Sequence, residues 1–313
     1  MNWIRTRANR ASTPWALFVS FVAPHFPLIA PREFFDLYDV SSLPLPKQYR
    51  QHERPRHAAI DFFRGTFTYD NYFENDDAVR RALAAYMGLC SFVDHNVGQV
   101  LHALEGAGLA SNTTVMYTSD HGDNLGARGL WGKSTMYEES VGVPLILAGA
   151  GQDRRRRVRS LVSHVDVYPF VLRHFGVAAP PGADLPGRAL GEDIDDRPVL
   201  AEYHATGSRN AFFMLRTDCY KLVYHVEGEH ELYDLELDPE ELTNIAQTAP
   251  GAPICADLVR RLREICDPEA VDRRAKERQA VLIAMAGGRE AILNRADYGF
   301  SPVPASVLAD NAR

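Results

Sequence analysis

The chain has 313 residues, enough for a sizeable core in one large or two ordinary domains. It is 46% hydrophobic and 24% charged, with formal net charge −7 and no basic excess, which argues against a general nucleic-acid binder. Its four cysteines, Cys90, Cys219, Cys255 and Cys266, form no Cys-x-x-Cys pair, so no zinc knuckle or redox pair is signalled; so few suits a reducing, cytoplasmic setting.

In chain order, Trp3 to Arg10 reads as the last turns of a helix. Trp15 to Val22 is nearly all apolar and predicts a buried strand covered on both faces. It is too short for a membrane span and lacks a small-residue cleavage site, so neither a signal peptide nor a membrane partner is expected. Pro24, Pro27 and Pro31 impose an irregular segment. Residues 34–73 show no clean period and read as a long excursion over a site. From Asp77 to Leu104, apolar residues recur at three-and-four spacing, which predicts a helix stopped by Gly106 and Gly108. Asp94 falls on that stripe and is expected to be a buried, satisfied carboxylate.

Thr114 to Thr118 and Val143 to Gly149 predict further buried strands, and Ser163 to Gly176 a capped helix. The alternation implies an α/β fold whose mainly parallel sheet is sandwiched by helices. The run Arg154–Arg157 with Arg159 reads as a solvated loop. Beyond the turn-rich stretch after Pro180, residues 198–238 carry strand patterns with a turn at Glu227-Gly228-Glu229. Asp238 to Glu241 reads as a helix start and Leu258 to Ala286 as a helix. The division expected is 1–195 for the α/β domain and 196–313 for a smaller α+β subdomain with an antiparallel sheet, helices and tail.

The chemistry concentrates in the loop after Thr118, where Asp120 and His121 stand side by side and Lys133 follows. Ligands in open α/β sheets gather at the carboxyl ends of strands. A carboxylate and an imidazole could share a divalent ion of Mn, Zn, Mg or Ca, although two ligands do not complete a site; the plainer reading is a capped tight turn. Lys133, between Trp131 and Tyr137, could stabilise transition-state charge or lie along the surface. His25, in Pro-His-Phe-Pro, could donate a proton to a leaving oxygen or be packed between prolines. His204 reads as a hydrogen-bonded structural histidine or a pocket residue. Gly122, Gly126, Gly129 and Gly132 would let the loop approach a ligand closely. Together these residues point to metal-assisted hydrolysis of a phosphate or sulfate ester.

The stretch "YTSDHGDNLGARGLWGKSTMYEESVGVPLIL", with "LFVSFVAPHFPLIAP", "SHVDVYPFVLRHFGV" and "ELYDLELDPEELTNIA", resembles the sulfatase family of the alkaline-phosphatase superfamily. It is most similar to choline-sulfatase-like and phosphonate monoester hydrolase-like members. The resemblance implies an alkaline-phosphatase-like fold and Asp120 and His121 as metal ligands. It also implies Lys133 on the sulfuryl or phosphoryl oxygens, His25 at the leaving oxygen and His204 lining the pocket. The family's early strand with paired aspartates and its nucleophile motif, Cys-x-Pro/Ala-x-Arg or a serine equivalent, find no match here. The chain therefore reads as the later portion of a sulfatase, incomplete or inactive alone. Alternatives are a phosphonate or phosphate ester hydrolase on the same scaffold, and a non-catalytic subunit or remnant that needs an N-terminal fragment as partner. A small-molecule ester is the expected substrate. The tail from Ala296 to Arg313 suits docking and implies a homo-oligomer.

Overall fold

The computed structural model describes residues 1–6, 8, 12–152, 156–191 and 197–294. The expected domain boundary, part of the arginine run and the tail expected to dock lie outside the described residues. The expected first helix is α1 (Asn2–Thr6). The excursion over residues 34–73 holds α2 (Arg32–Phe35) and α3 (Ala58–Thr66) between single turns.

The long periodic segment is α4 (Asp76–Gly106). Asn75 caps it by accepting from the Ala78 N–H, and Asp76 and Asp77 lie in its first turn, where carboxylates oppose the positive end of the dipole. Gly108, at φ 70°, ends it. Its buried stripe runs through Val79, Leu83, Leu89, Val93 and Leu104. Asp94 departs from expectation: it is exposed, one position beyond the stripe at Val93.

Strand β1 (Thr114–Thr118) pairs with β2 (Leu145–Gly149), and the pairing is antiparallel, Met116 opposite Leu147. The described strand pairs are all antiparallel, so the parallel pairing expected of the larger sheet is not found among them. The segment expected as a buried strand, Trp15 to Val22, has no regular secondary structure. No described strand pairs with it, and Phe18 is 91% exposed. The apolar pattern reports what such a strand would bury; burial itself needs a partner layer.

Between β1 and β2 the site loop contains α5 (Glu138–Val141). Helix α6 (Val167–His174) is preceded by a turn in which Ser163 and Asp166, the two candidate opening residues, cap each other reciprocally. The second sheet runs in meander order through β3 (Val199–Tyr203), β4 (Phe212–Arg216), β5 (Tyr220–His225) and β6 (Glu231–Asp234). It is antiparallel throughout, with Met214 opposite Val223 and Leu222 opposite Leu232.

The expected helix at Asp238 does not form. Its carboxylate accepts instead from the Leu242 and Thr243 N–H groups, and Glu241 adopts φ 54°, so a side-chain-closed turn wins over the helix. The long C-terminal helix is broken into α7 (Gly251–Ile265) and α8 (Pro268–Met285), followed by α9 (Arg289–Leu293). Pro268 enforces the break, and Asp267 caps the new start through the Ala270 N–H.

The main core lies where α7 covers one face of the second sheet. Phe213, Leu215, Leu222 and Leu232 pack with Leu258 and Leu262, all nearly inaccessible. A second cluster joins Ile60 and Phe63 of α3 to Leu130 and Tyr137 of the site loop and Tyr233 of β6. That cluster brings the loop after β1 against the C-terminal sheet.

Candidate active site

Asp120 and His121 follow β1 directly. His121 Nδ1–H donates to the Gly122 carbonyl at 2.8 Å, which leaves Nε2 with its lone pair free. That Nε2 lies 3.5 Å from Asp120 Oδ2. The two donors therefore face the same point, and a ring N–H given to a backbone carbonyl is the usual orientation of a ligating histidine. An oxygen and a nitrogen donor arranged this way fit a divalent ion as two of its ligands.

Lys133 and His25 meet across 108 residues of sequence. Lys133 Nζ lies 2.7 Å from His25 Nε2, and His25 Nδ1–H donates to the Phe26 carbonyl at 2.8 Å. The carbonyl only accepts, so the tautomer follows: Nε2 takes a hydrogen bond from the ammonium. Lys133 Nζ also stands 5.3 Å from the centroid of the Phe26 ring. The His25 and His121 rings are 6.2 Å apart, which brings Asp120, His121, Lys133 and His25 into one group.

The aromatics expected around Lys133 do other work. Trp131 is buried and stacks on Phe73 at 4.4 Å. Tyr137 lies under the Arg128 guanidinium at 3.8 Å. His204 is not part of the group. It follows β3, with Nε2 3.6 Å from Glu202 Oε2 and the ring edge-on to Phe213 at 5.5 Å; both ring nitrogens are buried and make no hydrogen bond, so the hydrogen-bonded histidine expected here is not found.

The loop geometry depends on residues that the sequence reading did not single out. Asp123 accepts from the Leu125 and Gly132 N–H groups and closes the loop on itself; burial raises its carboxyl above the ordinary range. Leu125, Arg128 and Ser134 all hold positive φ, a strained conformation kept only where surroundings enforce it. Close packing within the loop requires glycine at several of these positions, while a Cβ at Gly132 would meet nothing within 4 Å. A Cβ at Gly122 would meet the Glu139 carbonyl oxygen at 2.0 Å, and one at Gly129 the Arg54 guanidinium at 2.2 Å.

The enforcing surroundings are buried ions. Arg128, fully buried, donates to the Glu240 carbonyl at 2.6 Å and pairs with Glu139 at 3.2 Å. Lys47 reaches both Glu139 and Glu240 at 2.6 Å. Burial would raise the Glu139 carboxyl, but Arg128 and Lys47 outweigh it and hold it below its usual range. Lys221 of β5, also fully buried, pairs with Glu241 at 2.7 Å and Glu138 at 2.5 Å and donates to the Met136 carbonyl at 3.0 Å. The site loop is thus fastened at both its arginine and its α5 end to the 238–241 turn and β5. Partners such as Arg128 and Glu240, 112 positions apart, or Lys221 and Met136, 85 apart, carry no local pattern that would have revealed this.

Residues 1–177 match the sulfatase family, and residues 126–267 match the N-sulphoglucosamine sulphohydrolase C-terminal family. Choline-sulfatase of Rhizobium meliloti (strain 1021) is 32% identical over 294 residues, covering 88% of this chain and 55% of the relative. Arylsulfatase K of Bos taurus is 29% identical over 291 residues, 85% of this chain and 53% of that one. Among solved structures, the phosphonate monoester hydrolase SpPMH from Silicibacter pomeroyi superimposes with a TM-score of 0.73 at 25% identity, over 84% of this chain and 57% of that chain. The chain spans about half the length of the curated relatives it matches. Its fold is that of the alkaline-phosphatase-like sulfatases, and the chain belongs to the sulfatase family.

Proposed function

We propose that this chain supplies the cationic and half of the metal-binding side of a hydrolase acting on small sulfuric esters. The observation that carries the proposal is the convergence of Lys133, His25, His121 and Asp120 from two distant segments. Asp120 Oδ2 and His121 Nε2 would hold a divalent ion, whose chemistry when bound is Lewis-acid polarisation of the ester. Lys133 would hold the non-bridging oxygens of the bound ester. His25, sharing one N–H with Lys133, is placed to pass that proton to the departing alkoxide, so the pair loses one positive charge as the leaving alcohol becomes neutral.

The nucleophile and further ligands would come from the family's early segment. Leu17, Phe18, Val19, Phe21 and Val22, with Ile146 of β2 and Tyr168 of α6, expose apolar surface in the manner of a face that packs against it. A phosphonate monoester is the second substrate reading, favoured by the structural likeness to SpPMH.

The test is paired turnover of an aryl sulfate and an aryl phosphonate monoester, with the early segment supplied. Preference for the sulfate that falls on the order of 100-fold or more in Lys133→Ala supports the reading. Full turnover in Lys133→Ala, or hydrolysis of neither ester, overturns it.

A further inference from the structure

Away from the Lys133 group, three metal-ligating side chains are buried together: His57 ahead of α3, His225 at the end of β5 and Glu231 at the start of β6. Each presents one donor atom within 4.8 Å of the others. The hydrogen bonds around them define which atoms are available. His57 Nε2–H donates to the Glu229 carbonyl at 2.9 Å, so its lone pair is on Nδ1. That Nδ1 is buried and has no hydrogen-bond partner, in a side chain only 7% exposed. A buried acceptor left so is costly unless something fills the position. Glu231 Oε1 accepts from the Tyr137 and Tyr233 hydroxyls at 3.1 and 2.7 Å, which orients the carboxylate. Its Oε2 faces His225 Nε2 at 2.9 Å.

This is how ligating residues are commonly held, with the imidazole's other N–H on a backbone carbonyl and the carboxylate's other oxygen on hydroxyls. We propose that His57 Nδ1, His225 Nε2 and Glu231 Oε2 form a site for one divalent cation of the Zn2+ class, distinct from Asp120 and His121. Two nitrogens and one oxygen suit Zn2+ and exclude Ca2+ and Mg2+, which take oxygen shells. The ion replaces the proton that lies between His225 Nε2 and Glu231 Oε2. A cavity of about 410 Å³, lined by His225, Glu231, Thr135 and Tyr137, provides the entry path and room for a water as fourth ligand. Bound there, the ion ties the start of α3 to the β5–β6 hairpin, which the His57–Glu229 hydrogen bond already joins. It would thereby fix the wall of residues 134–137 that follows Lys133. The proposal does not depend on the ester-hydrolase reading.

The test uses the full chain carrying Asp120→Asn and His121→Gln, freed of metal and titrated with Zn2+ against a chromophoric chelator. One equivalent of Zn2+ is expected to bind, and to raise the unfolding midpoint. Adding His57→Gln or His225→Gln is expected to weaken binding on the order of 100-fold. Tyr233→Phe, which keeps all three ligands and guards against misfolding of the other variants, is expected to cost roughly 10-fold. Co2+ in place of Zn2+ should give visible bands of four- or five-coordinate intensity. Absence of Zn2+ binding in the Asp120→Asn/His121→Gln chain, or unchanged affinity in folded His57→Gln, overturns the site.

Discussion

Replacing Lys221 by methionine isolates the buried ions that hold the site loop. Lys221 and Glu241 have no exposed side-chain surface and stand 2.7 Å apart. At an effective dielectric of 20 their attraction is about 6 kcal/mol, most of it offset in the folded protein by the desolvation of both ions. The substitution removes the cation and leaves Glu241 buried, and it strips the Met136 carbonyl of its donor. Glu138, whose side chain is 43% exposed, can turn to water and adds little. Breaking a buried pair on one side costs about 3–5 kcal/mol, and that is the expected loss in urea unfolding near about pH 7.5.

The size of this loss depends on pH with a definite sign. Burial outweighs Lys221 and already raises the Glu241 carboxyl, and without Lys221 it rises further. The folded state then holds the Glu241 proton more tightly than the unfolded state, so the variant loses stability as pH rises and recovers toward about pH 5. Adding Glu241→Gln to Lys221→Met removes the orphaned charge while keeping an acceptor for the Glu138 N–H, and should restore most of the loss. Lys221→Met within about 1 kcal/mol of the parent, or a double variant no more stable than the single one, would refute the reasoning.

Other outcomes follow from the same contacts. Gly122→Ala forces a Cβ against the Glu139 carbonyl oxygen, and is expected to lower stability by about 1–3 kcal/mol and to weaken metal binding by Asp120 and His121, both readable by calorimetry. His25→Ala should slow turnover of esters with poor leaving groups far more than those with good ones, because it removes the group that passes the Lys133 proton to the leaving oxygen; equal slowing of both would count against that role. Glu269, hydrogen-bonded to Arg263 and also accepting from Tyr224, is held at about 2. Its contribution is present above the unfolded value of 4.5 and lost as pH falls from there toward 2, so Glu269→Gln should flatten the acid limb of the stability curve.

Much of the fold was legible locally. The 3.6-residue stripe marked α4, and Ser163 or Asp166 marked the start of the helical segment that includes α6. The strand patterns after residue 198 and the turn at Glu227–Glu229 anticipated an antiparallel sheet, but not the second turn that splits residues 211–226 into β4 and β5. Periodicity could not set strand direction, since β1 and β2 look alike in sequence whichever way they pair. Nor could it say whether the apolar run at residues 15–22 would be covered, because covering depends on a neighbouring layer. Pro268 and the Asp238 turn overrode helix propensity through single local hydrogen-bonding choices.

The same division runs through the chemistry. The residue types of Asp120, His121 and Lys133 left a capped turn and a metal and oxyanion loop both open, and it was the resemblance to the sulfatase family that favoured the loop. What sequence order could not supply was proximity. Only the tertiary structure sets His25 on Lys133, separates His204 from both, and buries His57 beside His225 and Glu231. These pairs are joined by packing and by desolvated ions, which act across space and leave no period in the chain.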